Sequence, residues 1–214
     1  MLVSKLPNDS RIFDDPINLK LIKMMYEGEA NSIVQWQRYS ECLKIAADNI
    51  LTLKNNDPYR ILPNIYKLLF GLSIENMIKG IFISIYKLPI KNGNIKWPGN
   101  SHDLLNLIDY INKPITLIKF SKNERIILTE LSDYIKWGGR YPVPINFQSL
   151  IPKRKGNSES YYLVTVGISD KEIIDYDKLY NKLEENILLK VKEYRDQLNK
   201  KHSVEEFLKN IKKA

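Results

Sequence analysis

Glu75 and Lys79 stand four residues apart with the glutamate first, the order that favours an ion pair along one face of a helix. Such a pair can be purely structural, or it can face a crevice between helices and hold a polar ligand or partner. Buried charges need partners, since breaking a buried pair costs about 3–5 kcal/mol, and His102 or Arg140 could complete a network around this one. His102-Asp103 stands at a helix start, where a carboxylate complements the helix dipole by about 0.3–1 kcal/mol. A histidine there titrates in the range useful to a general base. No nucleophile accompanies it, because Cys42 falls in a different helical segment. The catalytic candidates are therefore His102, Glu75 and Arg140, without a complete catalytic motif.

A second set of side chains reads as a surface for anions. Trp137-Gly138-Gly139-Arg140-Tyr141-Pro142 closes a helical segment. Glycine there can take the left-handed conformation of a C-cap, with Tyr141 and Pro142 packing the exit. The same run could use Arg140 as a phosphate fork, with the faces of Trp137 and Tyr141 stacking a base. Lys153-Arg154-Lys155, followed by Gly-Asn-Ser, reads as an exposed basic loop that would add attraction for nucleic acid. The ligand-binding candidates are Glu75, Lys79, His102, Asp103, Trp137, Arg140 and Tyr141, and the nucleic-acid candidates are Lys153, Arg154 and Lys155.

Composition narrows the classes. One cysteine, Cys42, rules out an internal disulfide framework and any multi-cysteine metal site. Its apolar-periodic surroundings predict a small buried hydrophobe. The two histidines, His102 and His202, are far apart, so neither a metal nor another cofactor is implied. A net charge of +8 favours polyanions such as nucleic acid or an acidic partner, although lysine outnumbers arginine, the better phosphate fork. Hydrophobic content of 43% excludes a disordered chain. The opening MLVSKLPNDSRIFDD lacks the apolar core of a signal peptide, and the expectation is a cytoplasmic protein with no membrane association.

The elements that must position these side chains are helices. Pro16 opens the first, after Asp14 or Asp15 as cap, and it runs to Gly28. Residues 31–54 carry apolar side chains at helical spacing until Asn55-Asn56-Asp57-Pro58. Residues 63–88 are apolar nearly all round, as in a core helix or a membrane span. Glu75 and Lys79 favour the core, because a charge at a bilayer centre costs about 2.5–3.5 kcal/mol. Residues 89–98 read as a loop with Asn92-Gly93 as its turn. Asn100 or Ser101 caps the next helix, and Ser121 with Glu124 forms a capping box for another that ends at Gly138-Gly139. From Arg140 to about Asp175 three prolines forbid helix and a Tyr-Tyr-Leu-Val-Thr-Val run favours strand. Helical spacing resumes from Leu179 to Tyr194, and Ser203 with Glu206 predicts a separate terminal helix. The expectation is an all-α, antiparallel helical bundle forming a single domain over 1–214. It divides into N-terminal helices (16–56), a core (60–140), an irregular insertion with room for a small β-hairpin (141–175) and C-terminal helices (176–214).

Three stretches, in order, resemble the HEPN superfamily: Glu75-Asn76-Met77-Ile78-Lys79-Gly80 in the apolar helix, Ser101-His102-Asp103-Leu104-Leu105 at the next helix start, and Arg140-Tyr141-Pro142 after a later helix. The resemblance covers about residues 60–145, with a closing helix near 178–198, and is to the branch carrying arginine-tyrosine-proline. It implies a helical bundle that pairs as a homodimer. The family includes ribonucleases of toxin–antitoxin and defence systems, non-catalytic partners of minimal nucleotidyltransferases, and nucleotide binders. The ribonuclease branch places a histidine four to six residues after an arginine. Here Arg195 precedes His202 by seven, and no arginine stands at that distance ahead of His102. The expectation is a non-catalytic dimer binding RNA, a nucleotide or a protein partner, with a divergent ribonuclease and a purely structural interaction module as alternatives.

Overall fold

The computed structural model of the chain describes residues 16–53, 56–57, 61–86, 90–91, 94–98, 100–113, 118–138, 153–154, 161–162 and 167–211, with backbone alone for 91, 137–138, 153–154, 161–162 and most of 194–211. Six helices run through these residues: α1 (Pro16–Ala30), α2 (Ile33–Thr52), α3 (Leu62–Ile85), α4 (Leu104–Ile111), α5 (Lys122–Asp133) and α6 (Asp170–Ile211). They form the expected all-α bundle. Two short ladders accompany them: β1 (Ile90–Lys91) with β2 (Asn94–Ile95), and β3 (Lys153–Arg154) with β4 (Tyr161–Tyr162), both antiparallel.

α3 is the central stave, touching α2, α4, α5, the turn after α5 and α6. Its apolar residues point in every direction because neighbours cover every direction: Tyr66, Phe70, Ile74, Met77, Ile78 and Ile81 are all buried. By length and composition α3 could cross a membrane, yet two-thirds of its apolar window (67%) is buried against the other helices. Three charges, Lys67, Glu75 and Lys79, lie buried on this one helix. α2 and α3 meet at a serine crossing, where the Ser40 hydroxyl donates to the Ser73 carbonyl and the Ser73 hydroxyl to the Ser40 carbonyl, each at 2.8 Å. Gly80 lets α6 approach: a Cβ there would stand 2.5 Å from Ile187 Cδ1.

Several local expectations need correction. α1 continues past Gly28 to Ala30, and the side chain that caps α4 is Asp103, not Asn100 or Ser101, since its carboxylate accepts the Asn106 amide at 3.1 Å. Within 89–98, read as loop, Ile90 and Lys91 pair antiparallel with Ile95 and Asn94, and the expected Asn92-Gly93 turn lies outside the described residues. α5 has the full Ser121–Glu124 capping box but ends at Asp133, and a π-helical turn carries Tyr134–Gly138. α6 begins at Asp170 behind Ser169, which forms its own capping box with Glu172. Ser203 and Glu206 start no helix. They lie inside α6, which holds no glycine or proline to end it upstream, and a capping box marks a start only where something breaks the helix before it. Cys42 is exposed, not buried. The inward position of α2 is Ser40, and two residues further is about 200° round the helix. Lys153 and Arg154, read as loop, lie in β3 of the small hairpin.

Candidate functional site

The i,i+4 spacing on α3 brings Lys79 Nζ onto Glu75 Oε1, both side chains more than nine-tenths buried. The other Glu75 oxygen, Oε2, lies 3.0 Å from His102 Nδ1, and His102 itself is 45% exposed. The network thus runs from the bundle interior to its surface in three side chains. His102 is held for this by the turn before α4: its amide donates to the Asn100 side chain at 3.1 Å, and Asp103 caps the helix that follows. The α4 start is fastened to α5, because the Leu104 amide donates to the buried Ser132 hydroxyl at 3.0 Å. Asp103 also pairs with Lys136 of the π turn at 3.2 Å, so a second cation stands beside His102-Asp103.

Two tryptophans wall the inner end. Lys79 Nζ lies 4.9 Å from the Trp97 ring centroid and 5.8 Å from that of Trp36, and the two rings meet edge to face at 5.3 Å. A desolvated ammonium against such rings gains about 2 kcal/mol. The Trp36 indole N–H donates to the Ala30 carbonyl at 2.9 Å, which ties this wall to the end of α1. Chemically, Glu75 holds the Nδ1 side of the His102 ring, and Nε2 takes no part in that contact. A protonated ring would present Nε2–H to an anion while its Nδ1–H stays on Glu75.

A second charged cluster lies further along α3. The Lys67 ammonium donates to Glu130 at 2.8 Å and to Glu172 at 3.4 Å, and stands 5.2 Å from the Tyr134 ring centroid. Burial pulls the Lys67 pKa down, but Glu130, Tyr134 and Glu172 more than offset it, and it stands above the usual lysine value. Burial would raise Glu172, yet hydrogen bonds from Ser169 and the charge of Lys67 hold it low. Burial pushes the Tyr134 phenol up to about 12. A lysine kept charged and a tyrosine kept neutral are neither nucleophile nor base near neutrality, so this cluster serves the fold.

Of the candidates read from sequence, Glu75, Lys79, His102 and Asp103 come together in one place. Trp137 lies in the π turn with its side chain outside the described residues, and Arg140, Tyr141 and Lys155 lie outside them altogether. Lys153 and Arg154 belong to β3, with side chains likewise outside. Sequence reasoning missed Trp36 and Trp97 as the cage, Lys136 as the flanking cation, and the Lys67 cluster. Lys67 carried the same signal as Glu75, a charge on the most apolar helix. The tryptophans carried none beyond their size. Among the described residues no group of His, Cys, Asp and Glu could hold a metal ion. Comparison with known proteins returns no matching family model, curated protein or solved structure.

Proposed function

We propose that the chain is a non-catalytic, HEPN-like dimeric bundle that binds RNA or a nucleotide at the surface end of the His102–Glu75–Lys79 network. The observation that carries this reading is the path of charge itself: a buried glutamate, already paired with Lys79, holds Nδ1 of a half-exposed histidine. Lys136, paired with Asp103, adds a cation at the same edge. The net charge of +8 supplies long-range attraction for a polyanion. The setting that the resemblance implies is defence or a toxin–antitoxin pair, in which a nucleotidyltransferase could be the protein partner, with the protein in the cytoplasm. The test is fluorescence anisotropy with labelled single-stranded RNA and with labelled ATP and GTP at low salt. His102→Ala and Arg140→Ala, each checked by circular dichroism, should weaken binding about tenfold, the equivalent of one lost charge-assisted hydrogen bond. A wild-type chain that binds neither RNA nor nucleotide sinks the reading.

One geometric fact favours a second reading, a divergent ribonuclease. A carboxylate on Nδ1 is what prepares a histidine to take or give a proton at Nε2. RNA cleavage also needs a second proton donor or a charge stabiliser, for which Arg140 is the remaining candidate. Incubation of purified protein with total RNA separates the readings: equal decay with wild type and His102→Ala removes the enzyme. A chain inert in both assays that co-purifies with one specific protein is the structural interaction module.

A further inference from the structure

The N-terminal helix is poorly matched to exposure. Ile17, Leu19, Leu21, Ile22, Met24 and Met25 are each 48–76% exposed, and among the described residues α1 buries only Ala30. They are spread round most of the helix, and the four on its Ile17–Leu21–Met24–Met25 side expose on the order of 500 Å², within the roughly 300–600 Å² of the largest patch on a typical monomer, which is often functional. Fifteen residues of helix span about 22 Å, short of the ~30 Å a bilayer core requires.

The pattern on α1 says what kind of partner fits. Ile17, Leu21, Met24 and Met25 recur at i, i+4, i+7 and i+8, the seam by which one helix packs along another. Lys20 lies before the midpoint of the helix, Lys23 at it, and Glu27 and Glu29 after it, with Lys23 standing 3.9 Å from Glu27 of its own helix. A parallel copy would set lysine against lysine. An antiparallel copy sets Lys20 of each helix toward Glu27 of the other, so the sequence is complementary to itself about a two-fold axis. Away from the seam, a groove of about 440 Å³ at the C-terminal end of α1 is lined in part by Tyr26, Ala30, Trp36 and Tyr39, so the seam itself faces away from the bundle. Tyr39 is itself 67% exposed.

We infer that α1 is the dimerisation helix of this protein, pairing antiparallel with α1 of a second copy along the Ile17–Leu21–Met24–Met25 seam. The inference names the interface of the dimer in the proposed function but does not depend on what the His102 network binds. Its test is the mass of the full chain by light scattering after size exclusion. Wild type should run at twice 25.1 kDa, and Leu21→Glu with Met25→Glu at the monomer mass with an unchanged helical spectrum, because both side chains are exposed in a single copy. Lys20→Glu alone and Glu27→Lys alone should each weaken self-association roughly fivefold, as expected of rim charges. An equimolar mixture of the two should recover it as a heterodimer. A monomeric wild type overturns the inference, as does a dimer untouched by the seam substitutions or a mixture no stronger than its parts. A monomer that co-sediments with phosphatidylcholine vesicles replaces the second copy with a lipid surface.

Discussion

Lys67 is the residue on which the α3 interior turns. Its ammonium is fully enclosed and neutralised by Glu130 and Glu172 from two other helices. Glu130→Ala removes the better-enclosed partner and should cost about 3–5 kcal/mol in urea denaturation, because a buried cation then lacks its main counter-charge. Lys67→Met combined with Glu130→Leu should cost clearly less than the two single changes added together, since well-packed apolar pairs often replace buried ion pairs at little cost. Additive losses would show that the pair is not coupled. How much of this was legible differs by residue. The Glu75–Lys79 pair could be read because both members lie on one helix, where spacing alone sets the distance. His102 could be named as a possible third member, but its contact with Glu75 crosses 27 residues, and no periodicity reports that. Lys67 looked like one more charge because its partners stand 63 and 105 residues away.

Between elements, the contact most sensitive to one atom is α3 on α6 at Gly80. Gly80→Ala would gain about 1 kcal/mol of helix propensity, but its methyl would press into the Ile187 side chain and approach Trp36 Cβ. Overpacking costs about 1–3 kcal/mol, so after that gain the expected net loss is about 0–2 kcal/mol. Ile187→Val removes the obstructing Cδ1, so the Gly80→Ala, Ile187→Val chain should be at least as stable as Gly80→Ala alone. A double variant that loses the sum of both effects would place the strain elsewhere. Helix existence was easy to read from apolar spacing, and ends were not. Ser121 with Glu124 announces a start and is one, whereas Ser203 with Glu206 has the same letters inside an unbroken helix. α2 explains the error at Cys42: its inward face is built on small residues, Ser40 and Ala47, while the larger Tyr39 and Ile45 point out, so size misreports direction.

The molecule as a whole should be vulnerable to alkali. Burial raises the Tyr134 and Tyr180 phenols to about 12, and raises Tyr66 and Tyr176 as well, while Lys67 stands above its usual value through its carboxylate partners. A group whose pKa is higher in the folded chain stabilises it fully below the unfolded value, near 10 for these types, and loses that contribution as pH climbs through the folded one. Stability should therefore hold to about pH 10 and fall steeply from there to about 12. Denaturation series at pH 8, 10 and 11.5 would follow this, with Tyr134→Phe giving a shallower decline; a flat profile contradicts it. In acid the sign reverses for Glu124 and Glu172, both held low by lysine and serine partners, whose contribution fades as pH drops through their folded values.

The placement of α3 also bears on how the chain is made. A ribosome releases this apolar helix early, whereas the α6 residues that seal it, such as Tyr176, Tyr180, Leu183 and Ile187, follow about a hundred residues later. At ordinary elongation rates of about 5–20 residues per second that interval is roughly 5–20 s. Throughout it, Phe70 lacks the Tyr176 and Tyr180 rings that cover it, and Lys67 waits for Glu130 and Glu172. The delay makes the nascent segment a natural client for a chaperone until α6 arrives.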